Sequence, residues 1–215
     1  MKEVPTNDGS ITFYNEEFTE TYHSNTGAVE ESREKFVKPC NFEELAKKGV
    51  INILDICFGI GYNSACAIEK IKSINPKCKI NIIALENDIE IIKKIQSLDP
   101  KIEYYDILKE FSKNLFYDDS LVKIEIHLGD ALQKIKEIKG IEFDCVFLDP
   151  FSPKKCPELW TKEFFDDIFK LMNKRAVLTT YSCAGQVRRN LKDAGFQVKD
   201  GPCIGRRSPS TIAYK

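Results

Sequence analysis

Short, almost wholly apolar runs alternate with helical segments from residue 50 onward, and this alternation constrains the fold more than any other feature. The clearest run, Phe143–Leu148, reads FDCVFL. Strands that are nearly continuous in apolar residues are typical of a parallel sheet with both faces covered. The sequence therefore predicts an α/β, Rossmann-like fold, with a mostly parallel central sheet flanked by helices. The other predicted strands cover 50–56, 80–86, 122–128 and 176–181, and the predicted helices cover 64–73, 89–98, 131–138, 160–172 and 186–194.

Residues 1–45 precede this alternation. Aromatic residues and threonines at 11–14 and 19–22 predict a small β-hairpin, followed by a helix rich in glutamate. A chain of 215 residues suits one hydrophobic core. We expect a single domain over 1–215, in which 1–45 is an N-terminal extension that packs near the cleft.

Composition excludes several classes of protein. Charged residues make up 30% of the chain, and no apolar run reaches the roughly 18 to 20 residues of a membrane-spanning helix. The start of the chain shows no apolar signal-peptide core, so we expect a cytoplasmic protein with no membrane partner. Eight cysteines form no C-x-x-C pair and there are two histidines, so we also expect no metal.

Polar residues follow five successive predicted strands. They are Asp55, Glu86, Asp130, Asp149 and Tyr181. In open parallel sheets, ligands bind beyond the carboxyl ends of the strands. The coincidence predicts a ligand site at this edge of the sheet.

The first strand leads into a Gly-x-Gly turn, Gly59 and Gly61, that opens a helix. Glycine lets the backbone approach a ligand closely and turn sharply. The dinucleotide fingerprint would need a third glycine where Ser64 stands. Asp55, four residues before the turn, instead resembles motif I of class I methyltransferases, although Cys57 replaces its first glycine.

Two carboxylates at the ends of later predicted strands are further candidates for contacts with a nucleoside ligand. Glu86 can accept hydrogen bonds from both hydroxyls of a ribose, or it and Asp88 can stabilise a helix N-terminus. Asp130 can accept from an adenine amino group, and it can equally cap the helix that follows.

The segment Asp149–Trp160 reads DPFSPKKCPELW. Its prolines restrict the loop and hold Asp149 at the edge of the cleft, where Phe151 can stack on a base. The alternative is a rigid strand-to-helix connection with Trp160 in the core. Residues 181–215 carry seven basic and two acidic residues, which indicates either a phosphate-bearing partner or a solvated helix face.

Several segments, in order along nearly the whole chain, resemble the methyltransferase half of the MnmC-type tRNA modification enzymes. The segments are 8–10, 22–24, 27–28, 58–63, 149–160, 180–189 and 205–207. The tail departs from that family, because it reads Arg207-Ser208-Pro209-Ser210. The resemblance implies the stand-alone version without the flavin oxidase half, with S-adenosylmethionine as cofactor, tRNA as partner and separate enzymes supplying the substrate. The implied reaction converts 5-aminomethyl-(2-thio)uridine at the wobble position to its methylaminomethyl form.

Residue reasoning and the resemblance together give the predicted site. The predicted catalytic residues are Asp149, Phe151 and Tyr181. The predicted cofactor-binding residues are Tyr22, Asp55, Gly59, Gly61, Asn63, Glu86, Asn87, Asp130 and Asp149. The predicted substrate and tRNA contacts are His23, Lys154, Arg188, Arg189, Arg206 and Arg207. Two alternatives stay open: a polyamine aminopropyltransferase on the same fold, and a non-catalytic module that binds tRNA or a protein partner.

Overall fold

The computed structural model describes residues 1–205 and 207–215. The strands are β1 (Lys2–Pro5), β2 (Ile11–Asn15), β3 (Glu20–Thr21), β4 (Val50–Ile56), β5 (Lys79–Glu86), β6 (Phe116–Asp118), β7 (Val122–Leu128), β8 (Phe143–Leu148), β9 (Met172–Thr180), β10 (Gln197–Asp200) and β11 (Thr211–Tyr214). The α-helices are α1 (Ala28–Glu31), α2 (Phe42–Leu45), α3 (Tyr62–Ile74), α4 (Ile89–Lys94), α5 (Tyr105–Asn114), α6 (Ala131–Glu137), α7 (Lys162–Leu171) and α8 (Gly185–Asp193).

The central sheet has eight strands in the order β10-β11-β9-β8-β4-β5-β7-β6. Its five middle strands, β9 to β7 in that order, are parallel. Antiparallel strands complete both edges, β6 on one side and β11 with β10 on the other. All five middle strands therefore point their carboxyl ends toward the same edge of the sheet.

Helices cover both faces of this sheet, and this explains the continuous apolar runs. Along β8, Cys145 and Phe147 belong to one buried cluster, while Val146 and Leu148 belong to the other. The first cluster includes apolar residues of α3, α4 and α5, and the second those of α6, α7 and α8. Since alternate residues of a strand point to opposite faces, nearly every position of such a strand is apolar; the exception in β8 is Asp144, which accepts a hydrogen bond from the Asn52 N–H. The predicted α/β fold is confirmed.

The N-terminal strands form a separate three-stranded antiparallel sheet, β1-β2-β3, which adds one strand to the predicted hairpin. Helix α1 then continues as a π-helical segment, Ser32–Val37, and a single turn, Lys38–Cys40. The π-helix is rare and occurs mostly as single turns near functional sites. This segment packs against α3, at the side of the sheet where the glycine turn lies.

Two elements, α5 and β6, occupy a stretch for which the apolar pattern predicts no element. Helix α5 buries Tyr105, Leu108 and Phe111. Residues with positive φ flank it, Tyr104 at 68° and Leu115 at 58°.

Across the described residues, no helix combines the length and the apolar character needed to cross a bilayer.

Candidate active site

Two adjoining cavities lie at the carboxyl edge of the parallel strands. The first cavity has a volume of about 570 Å³ and the second about 330 Å³. Residues that follow β4, β5, β7 and β8 line the first, and the loops around residues 20–24 and 149–152 line the second. The two cavities share Tyr22, His23, Asp149, Pro150 and Phe151. A ligand in either cavity therefore adjoins the same five residues.

The glycine turn forms one side of the first cavity. Gly59 has φ 57°, and a Cβ built there would meet only the Tyr22 ring, at 3.5 Å. Gly61, at φ 75°, does not line either cavity, and its Cβ would lie 2.5 Å from the Leu108 side chain and 2.6 Å from Phe58. Gly59 thus leaves the backbone open to the first cavity, whereas Gly61 is required for close packing.

Glu86 lies at the end of β5 and fixes the glycine turn. Its carboxylate accepts the Gly59 N–H at 2.8 Å through Oε2 and the N–H groups of Asn87 and Asp88, both at 2.9 Å, through Oε1. Burial raises the pKa of Glu86, and these hydrogen bonds oppose the rise. Glu86 and Asn87 both line the first cavity, so a carboxylate is presented there beside an open backbone.

Asp55 and Asn63 lie beneath the cavities rather than along them. Asp55 accepts a hydrogen bond from Ser64 Oγ at 2.6 Å, and burial raises its pKa to about 7. Its Oδ1 is buried and finds no hydrogen-bond partner among the described residues. Asn63 donates through Nδ2 to Asp149 Oδ2 at 2.9 Å. Asp55 and Asn63 therefore support the residues of the cavity wall and do not line the cavities themselves.

Asp130 is a helix cap that also lies at the first cavity. It caps α6, since its carboxylate accepts the Leu132 N–H at 2.9 Å, and it also lines the first cavity. A capping carboxylate that keeps one edge open to a cavity can still accept a hydrogen bond from a ligand.

Asp149 stands on the boundary between the cavities. Burial raises its pKa well above the ordinary carboxyl value, the charge of Glu31 raises it further, and the hydrogen bond from Asn63 opposes the rise. Its side chain remains partly accessible because it lines both cavities. A carboxylate in this setting is a stronger base than an exposed aspartate.

Hydrogen bonds hold the loop after Asp149 in place. The Tyr181 hydroxyl donates to the Pro150 carbonyl at 2.9 Å, and Trp160 Nε1 donates to the Phe151 carbonyl at 3.0 Å. Trp160 is buried in the core. The rigid strand-to-helix connection and the cavity position of Asp149 are therefore both present.

Aromatic side chains from the N-terminal sheet cover the site. Phe18 stacks on Phe151 with ring centroids 4.5 Å apart, and the Tyr22 ring lies 5.0 Å from Phe151. The Tyr22 hydroxyl donates to Asp88 Oδ2 at 3.0 Å. One face of Phe151 is thus occupied by Phe18, so a base that stacks on Phe151 must use the opposite face.

The residues predicted to contact tRNA divide into two groups. Lys154, Arg189 and Arg207 are exposed. His23 is buried, with its Nδ1 3.0 Å from Thr12 Oγ1, and burial lowers its pKa to about 4. At pH 7 it is a neutral part of the cavity wall. Arg206 lies outside the described residues.

Arg188 is bonded within the protein. Its Nη1 donates to Asp200 at 2.5 Å and its Nε to Thr211 Oγ1 at 3.0 Å. Its Nη2 donates to the carbonyls of Pro209, at 3.3 Å, and Ser210, at 3.0 Å. The guanidinium of Arg188 therefore holds the C-terminal segment against α8. In this respect Arg188 differs from its neighbour Arg189, which is exposed.

Sequence reasoning missed two acidic residues that the N-terminal extension contributes to the second cavity. Glu20 accepts hydrogen bonds from Ser152, from N at 3.0 Å and from Oγ at 2.5 Å. Glu31 lines the same cavity. Neither follows a predicted strand, so the strand-end pattern gave no signal for them. In the described part of the chain, no cluster of three or more His, Cys, Asp or Glu side chains could hold a metal ion.

A mostly parallel sheet, a glycine turn against a strand-end carboxylate, and a cavity of cofactor size are typical of α/β proteins that bind nucleoside cofactors, among them the class I S-adenosylmethionine-dependent methyltransferases. Comparison with known proteins agrees. A family model described as S-adenosyl-L-methionine-dependent methyltransferase matches residues 93–215. The crystal structure of MnmC2 from Aquifex aeolicus is 36% identical, with a TM-score of 0.86, over 99% of this chain and 69% of that one.

Two relatives match at lower identity. A protein of Methanocaldococcus jannaschii is 32% identical over 99% of this chain and 59% of its own length. The tRNA 5-methylaminomethyl-2-thiouridine biosynthesis bifunctional protein MnmC of Pseudomonas savastanoi is 30% identical over 89% of this chain and 31% of its own length. The chain thus spans less than two thirds of these relatives. It belongs to the S-adenosyl-L-methionine-dependent methyltransferase family, within the MnmC type.

The first cavity fits the cofactor of this family. Its volume suits a ligand of nucleoside-cofactor size, for which pockets measure about 300 to 1,000 Å³. The open backbone at Gly59 and the carboxylates of Glu86 and Asp130 supply a close approach and hydrogen-bond acceptors. Gly59, Glu86, Asn87 and Asp130 would therefore hold S-adenosylmethionine directly, with Asp55, Gly61 and Asn63 supporting them from below.

Proposed function

We propose that this protein transfers a methyl group from S-adenosylmethionine to the primary amine of 5-aminomethyl-(2-thio)uridine at the wobble position of tRNA. One observation carries the proposal: the partly accessible carboxylate of Asp149 lines both the cofactor-sized cavity and the second cavity. A group held there adjoins a bound cofactor on one side and a substrate on the other. The MnmC-type relatives support the choice of tRNA as the substrate.

The chemistry requires a base. An alkylamine has a pKa near that of lysine, roughly 10.4, so at pH 7 it is an ammonium ion without a lone pair. Bound S-adenosylmethionine supplies an electrophilic methyl group. Asp149 attracts the ammonium and accepts its proton, which frees the nitrogen lone pair for the new N–C bond. The cofactor would keep the electron pair of the broken S–C bond and leave as S-adenosylhomocysteine. The raised pKa of Asp149 brings its basicity closer to that of the amine.

The surrounding residues position this exchange. Asn63 orients the Asp149 carboxylate from below, and Tyr181 fixes the loop through the Pro150 carbonyl. Phe151 stacks on the uracil ring with the face opposite Phe18, and Tyr22 with His23 closes the site from the N-terminal side. Such positioning contributes several kcal/mol when the reacting atoms are aligned.

The remaining assignments belong to the same proposal. Residues 1–215 act as one methyltransferase domain, with 1–45 as an extension over the cleft, in the cytoplasm. Lys154, Arg189 and Arg207, all exposed, contact tRNA phosphates, together with Arg206. Separate enzymes supply the aminomethyl intermediate.

The direct test combines the protein, S-adenosylmethionine with a labelled methyl group, and tRNA that carries 5-aminomethyluridine. We expect the label in 5-methylaminomethyluridine after nucleoside analysis. tRNA without the aminomethyl group is the matched control. Absence of labelled product from a protein that binds the cofactor would exclude this substrate. Repeating the assay with decarboxylated S-adenosylmethionine and a polyamine tests for an aminopropyltransferase.

A further inference from the structure

A buried ion pair stands behind the second cavity. Lys35 Nζ lies 2.6 Å from Glu31 Oε1, and the two side chains are 2% and 9% exposed. Glu31 Oε2 accepts the Ser24 N–H at 2.9 Å. Lys35 lies in the π-helical segment Ser32–Val37 that follows α1. Burying two charges is costly, so a buried pair often has a role besides stability.

Glu31, the negative member of this ion pair, is the one that faces the cavity. Glu31 lines the second cavity and Lys35 does not. The cavity is also lined by Glu20 and Asp149, while no lysine or arginine among the described residues lines it. His23 is neutral at pH 7, since burial lowers its pKa to about 4. The wall therefore presents carboxylates, while the cation that pairs with Glu31, Lys35, lies behind the wall and not in the cavity.

When Asp149 is ionised, the charges around it do not balance. Asp149 and Glu31 are two carboxylates, and Lys35 is the buried ammonium beside them. After burial, the charge of Glu31 contributes most to raising the pKa of Asp149. One further positive charge in the cavity would complete two opposite-charge pairs. A primary ammonium is the substrate group that meets this need.

We propose that Glu31, held by Lys35, is a positioning residue that turns a carboxylate toward the second cavity and so selects a cationic amine over a neutral substituent. The inference rests on the proposed function for the identity of the amine. Glu31 acts through the field at the cavity and at Asp149. The other titratable groups that line this cavity are Glu20, Tyr22, His23, Asp149 and Tyr181. Asp8 acts on His23 through its charge, and Lys35 and Asp55 act on Asp149 in the same way.

The test compares the binding of two synthetic anticodon stem-loops in the presence of S-adenosylhomocysteine. One carries 5-aminomethyluridine and the other the neutral 5-hydroxymethyluridine. Their phosphates are the same, so the ratio of dissociation constants isolates the ammonium charge. The parent protein should prefer the amine about tenfold at pH 7, the size of effect that one neighbouring charge commonly exerts. Glu31→Gln should bring the ratio close to one.

Two further variants make the result specific. Glu30→Gln removes an exposed carboxylate one residue away on the same helix, and its ratio should match that of the parent. Glu31→Gln combined with Lys35→Met returns the net charge to the parental value and leaves no unpaired buried ammonium. The double variant should recover part of the lost preference, whereas a role in packing alone predicts no recovery.

The outcomes separate this inference from the proposed function. A folded Glu31→Gln protein that keeps the parental preference would overturn the inference, and so would a double variant no better than the single one. If the parent methylates the aminomethyl tRNA while Glu31→Gln keeps the full preference, only the role of Glu31 fails. If the parent methylates no aminomethyl tRNA, the proposed function fails instead.

Discussion

At the scale of single residues, the site depends on the environment of Asp149. An exposed aspartate is almost fully ionised at pH 7 and accepts protons poorly. Burial and the nearby Glu31 raise the pKa of Asp149 well above that range. The same shift links the residue to stability. A carboxyl whose pKa is raised on folding stabilises the protein below its ordinary pKa, and the contribution is lost as pH rises through the raised value.

Asp149→Asn separates the charge of this residue from its shape. The amide keeps the size but can neither accept the proton nor attract the ammonium, so turnover should fall at least a hundredfold at pH 7, within the range of general base catalysis of about 10² to 10⁴. Raising pH should restore part of the rate, because free amine becomes available. Single-turnover rates against pH measure both effects.

Thermal melts of the same variant provide the control. Because the parent loses stability as pH rises through the raised pKa of Asp149, Asp149→Asn should be as stable as the parent or more stable at high pH. Near-parental turnover at pH 7 would remove Asp149 from the reaction. A large drop in Tm would mean that the residue serves the fold.

Glu86→Gln tests the cofactor cavity at the same scale. The variant keeps an acceptor oxygen for the Gly59 N–H but loses the acceptor for the N–H groups of Asn87 and Asp88, together with the charge that strengthens hydrogen bonds to a ribose. S-adenosylhomocysteine should bind about 1.5 to 3 kcal/mol more weakly, the usual contribution of a hydrogen bond to a charged group. Calorimetry measures this change. Glu90→Gln, at an exposed position on α4, is the matched control, and equal affinities in both variants would leave Glu86 with a structural role.

At the scale of elements, the two glycines of the turn between β4 and α3 have different roles, although they belong to one sequence motif. Gly59 leaves room for a ligand, and Gly61 allows close packing. An alanine Cβ at residue 61 would overlap Leu108 and Phe58, whereas one at residue 59 has room. Both positions have positive φ, which costs a non-glycine residue about 1 to 2 kcal/mol. Cys57, in the same turn, already adopts φ 63°.

Gly61→Ala should therefore lower Tm more than Gly59→Ala does. Gly59→Ala should chiefly weaken cofactor binding, because its methyl group enters the first cavity. Thermal melts and calorimetry on both variants give the comparison. Equal losses of Tm in the two proteins would show that backbone strain, and not the overlap with Leu108, dominates at residue 61.

The elements also show what the sequence could and could not predict. β8 lies at its predicted bounds because a six-residue run with five apolar residues has few alternatives. Helix α5 has apolar residues on one face, yet Tyr104 and Leu115 mark its ends with positive φ, which nothing in those residue types signals. Glu20 could not be assigned to the site because its contact with Ser152 joins residues far apart in the chain. Pairings of that kind depend on tertiary packing.

At the scale of the whole molecule, the basic C-terminal region contains arginines of two kinds, those that bond within the protein and those that are exposed to solvent. A count of charges treats Arg188 and Arg189 alike. The structure bonds Arg188 to Asp200, Thr211 and the last loop, while Arg189 is exposed. Charge on a surface attracts a polyanion, whereas charge engaged in internal bonds supports the fold.

Arg189→Ala and Arg188→Ala should therefore differ. Arg189→Ala should weaken tRNA binding and reduce the slope of log K against log salt concentration by about 0.9 or less for each phosphate that the protein no longer neutralises. Its Tm should stay the same. Arg188→Ala should lower Tm by several degrees, since it leaves acceptors of the C-terminal segment unpaired. Filter binding across salt concentrations, with melts of both variants, tests this, and an unchanged slope for Arg189→Ala would place the tRNA path elsewhere.

The wall that the two cavities share has a thermodynamic consequence. Tyr22, Asp149 and Phe151 face both spaces, so a ligand on one side changes the hydration and electrostatic field that a ligand on the other side meets. Under the proposed function, we expect the two affinities to be linked, and linkage is reciprocal: whatever factor a bound cofactor applies to the affinity for tRNA, tRNA applies to the affinity for the cofactor. The spent and the fresh cofactor differ by one methyl group and one positive charge. That difference would give the protein a physical means to hold tRNA more tightly in one state than in the other, and so to order release after each transfer.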